Sequence, residues 1–176
     1  MNKRVKSEKE LLRRNVSVSR VSKVVKGGKR FNFSAIVVVG DGKGLVGYGV
    51  GKAKEVPEAI KKATDLASRS MEKFPLKEGR TIHQDVHGTF GAGKVLLRSA
   101  PKGTGVIAGG AMRSIFEVAG IQDVVAKALR STNPHNVVKA TLSALRSIET
   151  PRTVAMKRGR KVADLFNVKT QQEGEV

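Results

Sequence analysis

The sequence has 176 residues, of which 34 are Lys or Arg and only 15 are Asp or Glu, giving a formal net charge of +19 at pH 7. It contains no cysteine, which excludes disulfides, thiolate zinc sites and thiol nucleophiles. No apolar run approaches the roughly 20 residues that cross a bilayer, and the N-terminus has no signal-peptide core. We therefore expect a soluble intracellular protein that binds a polyanion and has no membrane partner and no small-molecule substrate.

Residues 1–14 are rich in Lys and Arg and poor in apolar side chains. This composition predicts a flexible basic arm that becomes ordered on a partner. From Val16 onward, spaced valines predict a strand that bends or bulges near residues 19–22 and then leads into a pair of glycines.

The segment from Arg20 to Arg30 contains five basic residues and no acidic one. Two adjacent glycines let the backbone approach a phosphate closely while the flanking cations neutralise its charge. A solvated turn between strands is the alternative interpretation, and the +19 balance favours the functional one. The predicted phosphate-binding residues are Arg20, Lys23, Lys26, Gly27, Gly28, Lys29 and Arg30, extended by Lys52 and Lys54 beside the next helix.

Residues 31–74 predict a ββα unit. Apolar residues alternate from Phe31 to Val39, the glycine-rich segment 40–44 is typical of a hairpin, and glycines at every second position of 45–51 leave one strand face nearly bare. From Lys54 the period changes to 3.6, with one apolar side. Its predicted inward residues are Val56, Ala59, Ile60, Ala63, Leu66, Ala67, Met71 and Phe74.

The second half of the chain predicts a separate domain. We place the N-terminal domain at residues 15–75, a linker at 76–79, the C-terminal domain at 80–168 and a frayed tail at 169–176. Within the C-terminal domain, strands are predicted at 80–87, 94–100 and 122–129. Helices are predicted before Gly120, after Asn133-Pro134, after Thr150-Pro151 and around 162–166.

Three motifs resemble known functional sites, but each lies in the wrong structural context. Residues 42–47 match G-x-G-x-x-G but lie between strands, and residues 88–94 match a nucleotide loop up to its lysine but continue into an apolar strand. His83 and His87 on one strand would lie about 13 Å apart, too far for one metal ion. We predict no enzyme, no cofactor and no metal site.

Nearly all of the six Phe and the single Tyr fall at positions typical of a core, and they form no ladder for stacking bases. Binding is therefore expected to depend on phosphate, sugar and duplex shape. Composition alone does not choose between RNA and DNA.

Nine short segments between residues 21 and 134 resemble the bacterial small-subunit ribosomal protein S-five family, and the resemblance runs in order from about residue 15 to residue 166. They are Val21–Lys23, Lys26–Gly28, Val38–Gly42, Gly49–Ala53, Glu55–Pro57, Gly103–Gly105, Ala108–Arg113, Glu117–Gly120 and Ser131–Pro134. The resemblance implies an α+β fold: an N-terminal βββα domain similar to double-stranded-RNA-binding domains, then a two-layer α/β domain with a left-handed βαβ crossover.

The same resemblance implies a function. It implies a cytoplasmic, ribosome-bound protein that binds small-subunit ribosomal RNA, supports subunit assembly and influences decoding accuracy and the messenger RNA entry path. It implies ribosomal proteins S-four and S-eight as neighbours, with Gly103, Thr104, Gly105 and Arg113 facing a protein partner. A DNA-architectural protein and, more weakly, a phosphate-handling enzyme are the alternatives that the charge leaves open.

Overall fold

The computed structural model describes residues 11–166. The predicted tail at 169–176 and most of the predicted arm lie outside these residues. The arm prediction was wrong for residues 12–14, because Leu12–Arg14 already belong to the first strand.

The N-terminal part is an antiparallel sheet covered by one helix. Its elements are β1 (Leu12–Val25), β2 (Gly28–Gly40), β3 (Leu45–Ala53), α1 (Val56–Arg69) and β4 (Glu72–Lys73), with strand order β1-β2-β3-β4. The predicted hairpin at 40–44 is confirmed, because β2 pairs with β3 from Phe33–Ala53 to Gly40–Val46. The bulge lies between Asn15 and Ser17 rather than at 19–22. At that point Val16 packs against the apolar core.

Helix α1 lies directly on the bare glycine face of β3. A methyl group at Gly47, Gly49 or Gly51 would come within 2.1, 2.0 or 2.1 Å of a backbone oxygen of α1. The predicted close approach is therefore made by the chain's own helix. Of its predicted inward residues, Ala59, Ala63 and Ala67 are fully buried, because only small side chains fit at this separation.

Two parts of the helix prediction were wrong. Leu66 is 49% exposed, because the close contact leaves no room for a large side chain beside Ala67. The helix also ends at Arg69 instead of reaching Phe74, because the chain turns there to pair Glu72 and Lys73 with β3.

The C-terminal part is a mixed sheet with helices. Its elements are β5 (Val86–Phe90), β6 (Gly93–Ser99), β7 (Val106–Ile107), α2 (Gly110–Ala119), β8 (Val124–Ala128), α3 (Pro134–Arg146), α4 (Pro151–Lys157) and α5 (Val162–Phe166). Strand order is β5-β6-β8-β7, and only β7 and β8 are parallel, with α2 crossing between them. This arrangement agrees with the α+β class expected from the sequence.

The predicted helix ends are confirmed. Gly120 ends α2 in the left-handed region at φ +79°, and the Asn133 side chain accepts a hydrogen bond from the backbone N–H of His135 at the start of α3. The Thr150 side chain caps α4 through the N–H of Thr153.

The strand predicted at 80–87 was wrong except at its end. Residues 80–85 are irregular, because Lys77 and Thr81 close a tight turn and the carbonyl of Arg80 accepts hydrogen bonds from the N–H groups of Gln122 and Asp123. The two residues of β7 within the glycine-rich segment were not predicted.

The two predicted domains share one core. The odd-numbered residues Ala35, Val37 and Val39 of β2 face α1, whereas Ile36 and Val38 face the opposite way. Ile36 and Val38 are buried in the same apolar cluster as the core of the C-terminal sheet and of α2 and α3. Both faces of β2 are thus covered, and the connector 76–79 joins two packed bodies.

Candidate nucleic-acid interface

Strands β1 and β2 continue beyond the rest of the N-terminal sheet as a two-stranded ribbon. The last residue of β3, Ala53, pairs with Phe33, so residues 28–32 pair only with 21–25 of β1. Lys26 and Gly27 form the two-residue turn, and Gly28 has φ +123°, a value that favours glycine. We call residues 20–31 the basic ribbon.

The ribbon places its cations on both faces. Lys23 lies directly opposite Arg30, and the alternation of strands puts Arg20 and Lys29 on the other face. Among residues 11–166, none of the five ribbon cations has a carboxylate within ion-pair distance; they are Arg20, Lys23, Lys26, Lys29 and Arg30. Their charge is therefore available to a polyanion.

Exposed apolar groups accompany this charge. The Arg20 guanidinium lies 3.9 Å from the centre of the Phe31 ring, which is 46% exposed. Val24 is 71% exposed at the tip. The expectation that nearly all aromatic residues belong to the core was therefore wrong for Phe31, and also for Phe90, which is 43% exposed. No atom of residues 11–166 lies within 4 Å of the position that a side chain would take at Gly27 or Gly28.

The structure places Lys52 and Lys54 at the base of the ribbon. Lys52 pairs with Ser34, which is four residues, or about 13 Å, along β2 from Arg30 and on the same face. Lys54 lies in the bend before α1. Glu55 and Glu58 stand beside it at the helix start, where Pro57 removes an amide donor, so this helix end is a poor phosphate site.

The predicted protein-facing segment is a loop organised around a buried carboxylate. Asp123 Oδ1 accepts hydrogen bonds from the N–H groups of Gly103 and Gly105, each at 3.0 Å. Its Oδ2 accepts from Arg80 Nε and Nη2 at 3.2 and 3.0 Å. The Asp123 side chain is only 3% exposed. Gly103 and Gly105 have φ +95° and +76°, which explains why glycine occupies both positions.

These contacts hold Asp123 in its ionised form. The hydrogen bond from Gly105, together with those from Arg80 and Gly103, lowers the pKa of the Asp123 carboxyl against the opposing effect of desolvation. Sequence reasoning missed Asp123 and Arg80, because they are 43 residues apart and only the fold brings them together. Arg113, in the first turn of α2, donates to the carbonyl of Val106 at 3.3 Å, so it lies beside the same loop.

The glycines of the two misleading motifs are already in contact with other parts of the chain. The N–H groups of Gly42 and Gly44 donate to the carbonyls of Val118 and Ala119 at the end of α2, at 3.0 and 2.8 Å. They cannot at the same time bind a pyrophosphate. Gly88 packs against α3, where a methyl group would lie 2.2 Å from the carbonyl oxygen of Ala140. Within residues 11–166, no group of three or more metal-ligating side chains converges, and no helix is long and apolar enough to cross a membrane.

Together, the fold and the ribbon define a class of small, two-part α+β proteins. In this class an antiparallel sheet with one helix shares a core with a mixed α/β sheet, and a basic hairpin projects from the antiparallel sheet. Comparison with known families gives a definite result. The model of "Ribosomal protein S5, N-terminal domain" matches residues 11–75, and that of "Ribosomal protein S5, C-terminal domain" matches residues 88–158. The chain belongs to the ribosomal protein S5 family.

Curated relatives support this membership over most of the chain. The small ribosomal subunit protein uS5 of Granulibacter bethesdensis is 61% identical over 169 residues, which cover 94% of this chain and 89% of the relative. The protein of the same name from Gluconacetobacter diazotrophicus is 64% identical over 157 residues, covering 89% and 82%. That from Ruegeria sp. is 60% identical over 157 residues, covering 89% and 84%. The family is a structural component of the ribosome and has no enzymatic role, as the sequence predicted.

Proposed function

We propose that this chain is a structural protein of the small ribosomal subunit that binds ribosomal RNA through the basic ribbon and works in the cytoplasm, bound to the ribosome. The observation that supports the RNA contact is the ribbon itself. Its two strands and their turn hold five cations without carboxylate partners, and no other element of residues 11–166 covers it. The assignment to the small subunit comes from the names of the relatives.

The ribbon's contribution is electrostatic and is therefore tested by salt. Each phosphate contact adds about 0.7–0.9 to the slope of log affinity against log salt concentration. Replacing Lys26 with Gln is expected to flatten that slope by nearly one unit on a small-subunit ribosomal RNA transcript. Lys62→Gln is the matched control, because Lys62 already has Glu58 at 3.9 Å. An unchanged slope for Lys26→Gln removes this lysine from the contact.

Membership of the subunit is tested by cosedimentation. The tagged chain should remain with small subunits through a high-salt wash, because charge pairs that become buried in the assembled subunit are screened by salt much less than exposed ones. A chain found free of the subunit contradicts the proposal. Preference for duplex DNA over structured RNA at one salt concentration would favour a DNA-architectural protein instead.

We also propose that the loop at Gly103–Gly105, with Arg113, contacts a protein neighbour, with ribosomal proteins S-four and S-eight as the candidates. Its backbone is bound by Asp123, which Arg80 holds in turn, and no atom of residues 11–166 lies within 4 Å of a side chain placed at Gly103 or Gly105. A rigid, bare loop suits close contact with another surface. Through this contact the chain supports subunit assembly, decoding accuracy and the messenger RNA entry path.

Two variants test the loop. Gly105→Glu should weaken the protein contact more than RNA affinity, but φ +76° strains any side chain there. Arg113→Glu avoids that strain, because Arg113 lies in a regular helix. Both variants are expected to keep the salt slope on RNA and to reduce subunit occupancy and accuracy in cells. A loss of RNA affinity equal to that of Lys26→Gln would instead place RNA at this loop.

A further inference from the structure

We propose that Arg80 is a positioning residue for the protein contact made by the Gly103–Gly105 loop. Arg80 lies in the connector between the two parts of the chain and fixes the loop through Asp123, without contacting the partner itself. The inference rests on the proposed function, since it concerns what sets the geometry of the same contact.

The glycines of the loop have nothing to pack against. No atom of residues 11–166 lies within 4 Å of the position that a side chain would take at Gly103 or Gly105. Both residues have a positive φ, at +95° and +76°, and a free glycine visits many other conformations. The conformation of the loop therefore depends on the polar contacts that hold its backbone.

Two of these polar contacts converge on one carboxylate oxygen. The N–H groups of Gly103 and Gly105 both donate to Asp123 Oδ1, each at 3.0 Å. The carbonyl of Gly105 also accepts from the N–H of Val124, the residue after Asp123, at 3.1 Å. Within residues 11–166, Asp123 is the one side chain that binds the two glycine amides, so its position determines theirs.

Arg80 binds the other oxygen of the same carboxylate. Its Nε and Nη2 donate to Asp123 Oδ2 at 3.2 and 3.0 Å, and no other cation of residues 11–166 forms an ion pair with Asp123. The Asp123 side chain is only 3% exposed, and a buried charge requires an opposite charge beside it. Without Arg80, the carboxylate would take up a proton or turn towards water. Either change loosens its hold on the two glycine amides.

The backbone of the connector directs Arg80 at this carboxylate. The carbonyl of Arg80 accepts hydrogen bonds from the N–H groups of Gln122 and Asp123, at 2.8 and 3.2 Å. The hydroxyl of the next residue, Thr81, accepts from the N–H of Ala100 at 3.4 Å, just before the loop. The connector thus holds both the approach to the loop and the residue that anchors its centre.

The connector also begins at the junction of the two parts. The N–H of Phe74 donates to the carbonyl of Gly44 at 2.8 Å, and Leu76 packs against the shared core. Arg80 follows Leu76 by four residues. The position of Arg80, and through it that of the loop, therefore depends on how the two parts are docked.

Hydrogen exchange in the free protein tests the positioning role without any partner. In Arg80→Gln, the amides of Gly103 and Gly105 should exchange about tenfold faster or more, because hydrogen bonds to a charged group are among the stronger ones. Arg80→Lys keeps the charge and should have a smaller effect. Arg146→Gln is the matched control, since it removes another bidentate pair, with Glu72. Loop amides at the parent rate in Arg80→Gln would overturn the inference.

A double variant tests whether Arg80 acts through Asp123. Asp123→Asn keeps an oxygen for the glycine amides but removes the charge that Arg80 neutralises. If both side chains belong to one contact, the loop amides of the double variant Arg80→Gln, Asp123→Asn should exchange no faster than those of the more affected single variant. Effects that multiply in the double variant would show two independent contacts and contradict the inference.

Misreading of a codon reporter in cells tests the consequence for the protein contact. Arg80→Gln should change misreading in the same direction as Arg113→Glu, Arg80→Lys should change it less, and Arg146→Gln should leave it at the parent level. Because Arg80 is already paired with Asp123, Arg80→Gln should keep the parent salt slope on a small-subunit ribosomal RNA transcript. A slope flattened as in Lys26→Gln would instead assign Arg80 to RNA.

The outcomes separate this inference from the proposed function. If Arg113→Glu leaves misreading and subunit occupancy unchanged, the proposed contact fails and the inference with it. If Arg113→Glu changes them and Arg80→Gln does not, the contact stands and the positioning role is overturned. Altered misreading with parent-like loop amides also overturns it, because Arg80 would then touch the partner directly. If Arg80→Gln does not fold, Arg80→Lys decides, and parent values in both measurements refute the role.

Discussion

Gly40 lets two backbones touch where the N-terminal sheet meets α2. A methyl group at this position would lie 2.2 Å from the carbonyl oxygen of Val118 and 2.8 Å from that of Leu45. Neither oxygen belongs to a flexible side chain that could move aside. The position thus fixes how closely β2 approaches the end of α2.

Gly40→Ala is expected to lower the free energy of unfolding by about 1–3 kcal/mol or more, because the added methyl group forces the two backbones apart. Chemical denaturation measures the change. Gly110→Ala is the control: nothing lies within 4 Å of its new methyl group, and alanine favours the helix. Equal stability of the two variants would contradict this account of Gly40.

Asp123 makes the stability of the C-terminal loop depend on pH. Its pKa is lowered from an ordinary value of 3.8 in the folded chain, so its stabilising contribution is complete above about pH 4 and is lost as the pH falls through the folded-state pKa. Asp123→Asn should therefore be less stable than the parent protein at pH 7, and the difference should shrink below pH 4. Denaturation at pH 7 and pH 3 checks this; a difference that is the same at both values would refute it.

At the scale of elements, glycine and alanine determine how α1 packs on β3. Three glycines on the strand face three alanines on the helix, at Gly47, Gly49 and Gly51 and at Ala59, Ala63 and Ala67. The resulting short distance excludes Leu66 from the interface and leaves it half exposed. By contrast, no other element of the described residues 11–166 covers the basic ribbon, and an isolated two-stranded ribbon is marginally stable in water.

This contrast predicts hydrogen exchange. In the free protein, the amides of the basic ribbon, residues 20–31, should exchange much faster than those of Ala35–Val39 in β2, because only the latter are buried under other elements. Binding of ribosomal RNA should slow exchange in the ribbon and leave the core unchanged. Ribbon amides that are as protected in the free protein as Val37 would show that the ribbon is already rigid.

At the scale of the molecule, the two parts are held together mainly by apolar packing. Ile36, Val38, Val46 and Phe74 of the N-terminal part belong to the core cluster of the C-terminal part. Among the described residues 11–166, two ion pairs also cross the boundary, Arg14–Glu117 and the bidentate Arg146–Glu72. All four of these side chains are at least 41% exposed, and such surface pairs contribute about 0.2–1 kcal/mol.

A shared core predicts cooperative unfolding of both parts. Ile36→Ala should lower the free energy of unfolding by about 2–5 kcal/mol, whereas Glu72→Gln should lower it by about 1 kcal/mol or less. Fluorescence of Tyr48, the only tyrosine and a residue of β3, should change together with the circular dichroism of the whole chain. Two separate transitions would mean that the parts unfold independently.

Local chemistry predicted much of the fold. The caps at Asn133 and Thr150, the stop at Gly120 and the hairpin at residues 40–44 all follow from the conformational preferences of a few adjacent residues, and all are present. The positive charge of the segment at residues 20–30 could also be read directly from the sequence. The failures at residues 80–85 and at Leu66 have a common cause: in both places a contact with a distant segment overrides the local pattern.

The sequence by itself determined the class of partner and most element ends, because net charge, glycine positions and capping residues act within a few residues of where they stand. Only the tertiary structure decided that Asp123 organises the Gly103–Gly105 loop and that the amides of Gly42 and Gly44 cap α2. These features depend on residues that are far apart in the chain, and their proximity is set by how the two sheets pack on a common core.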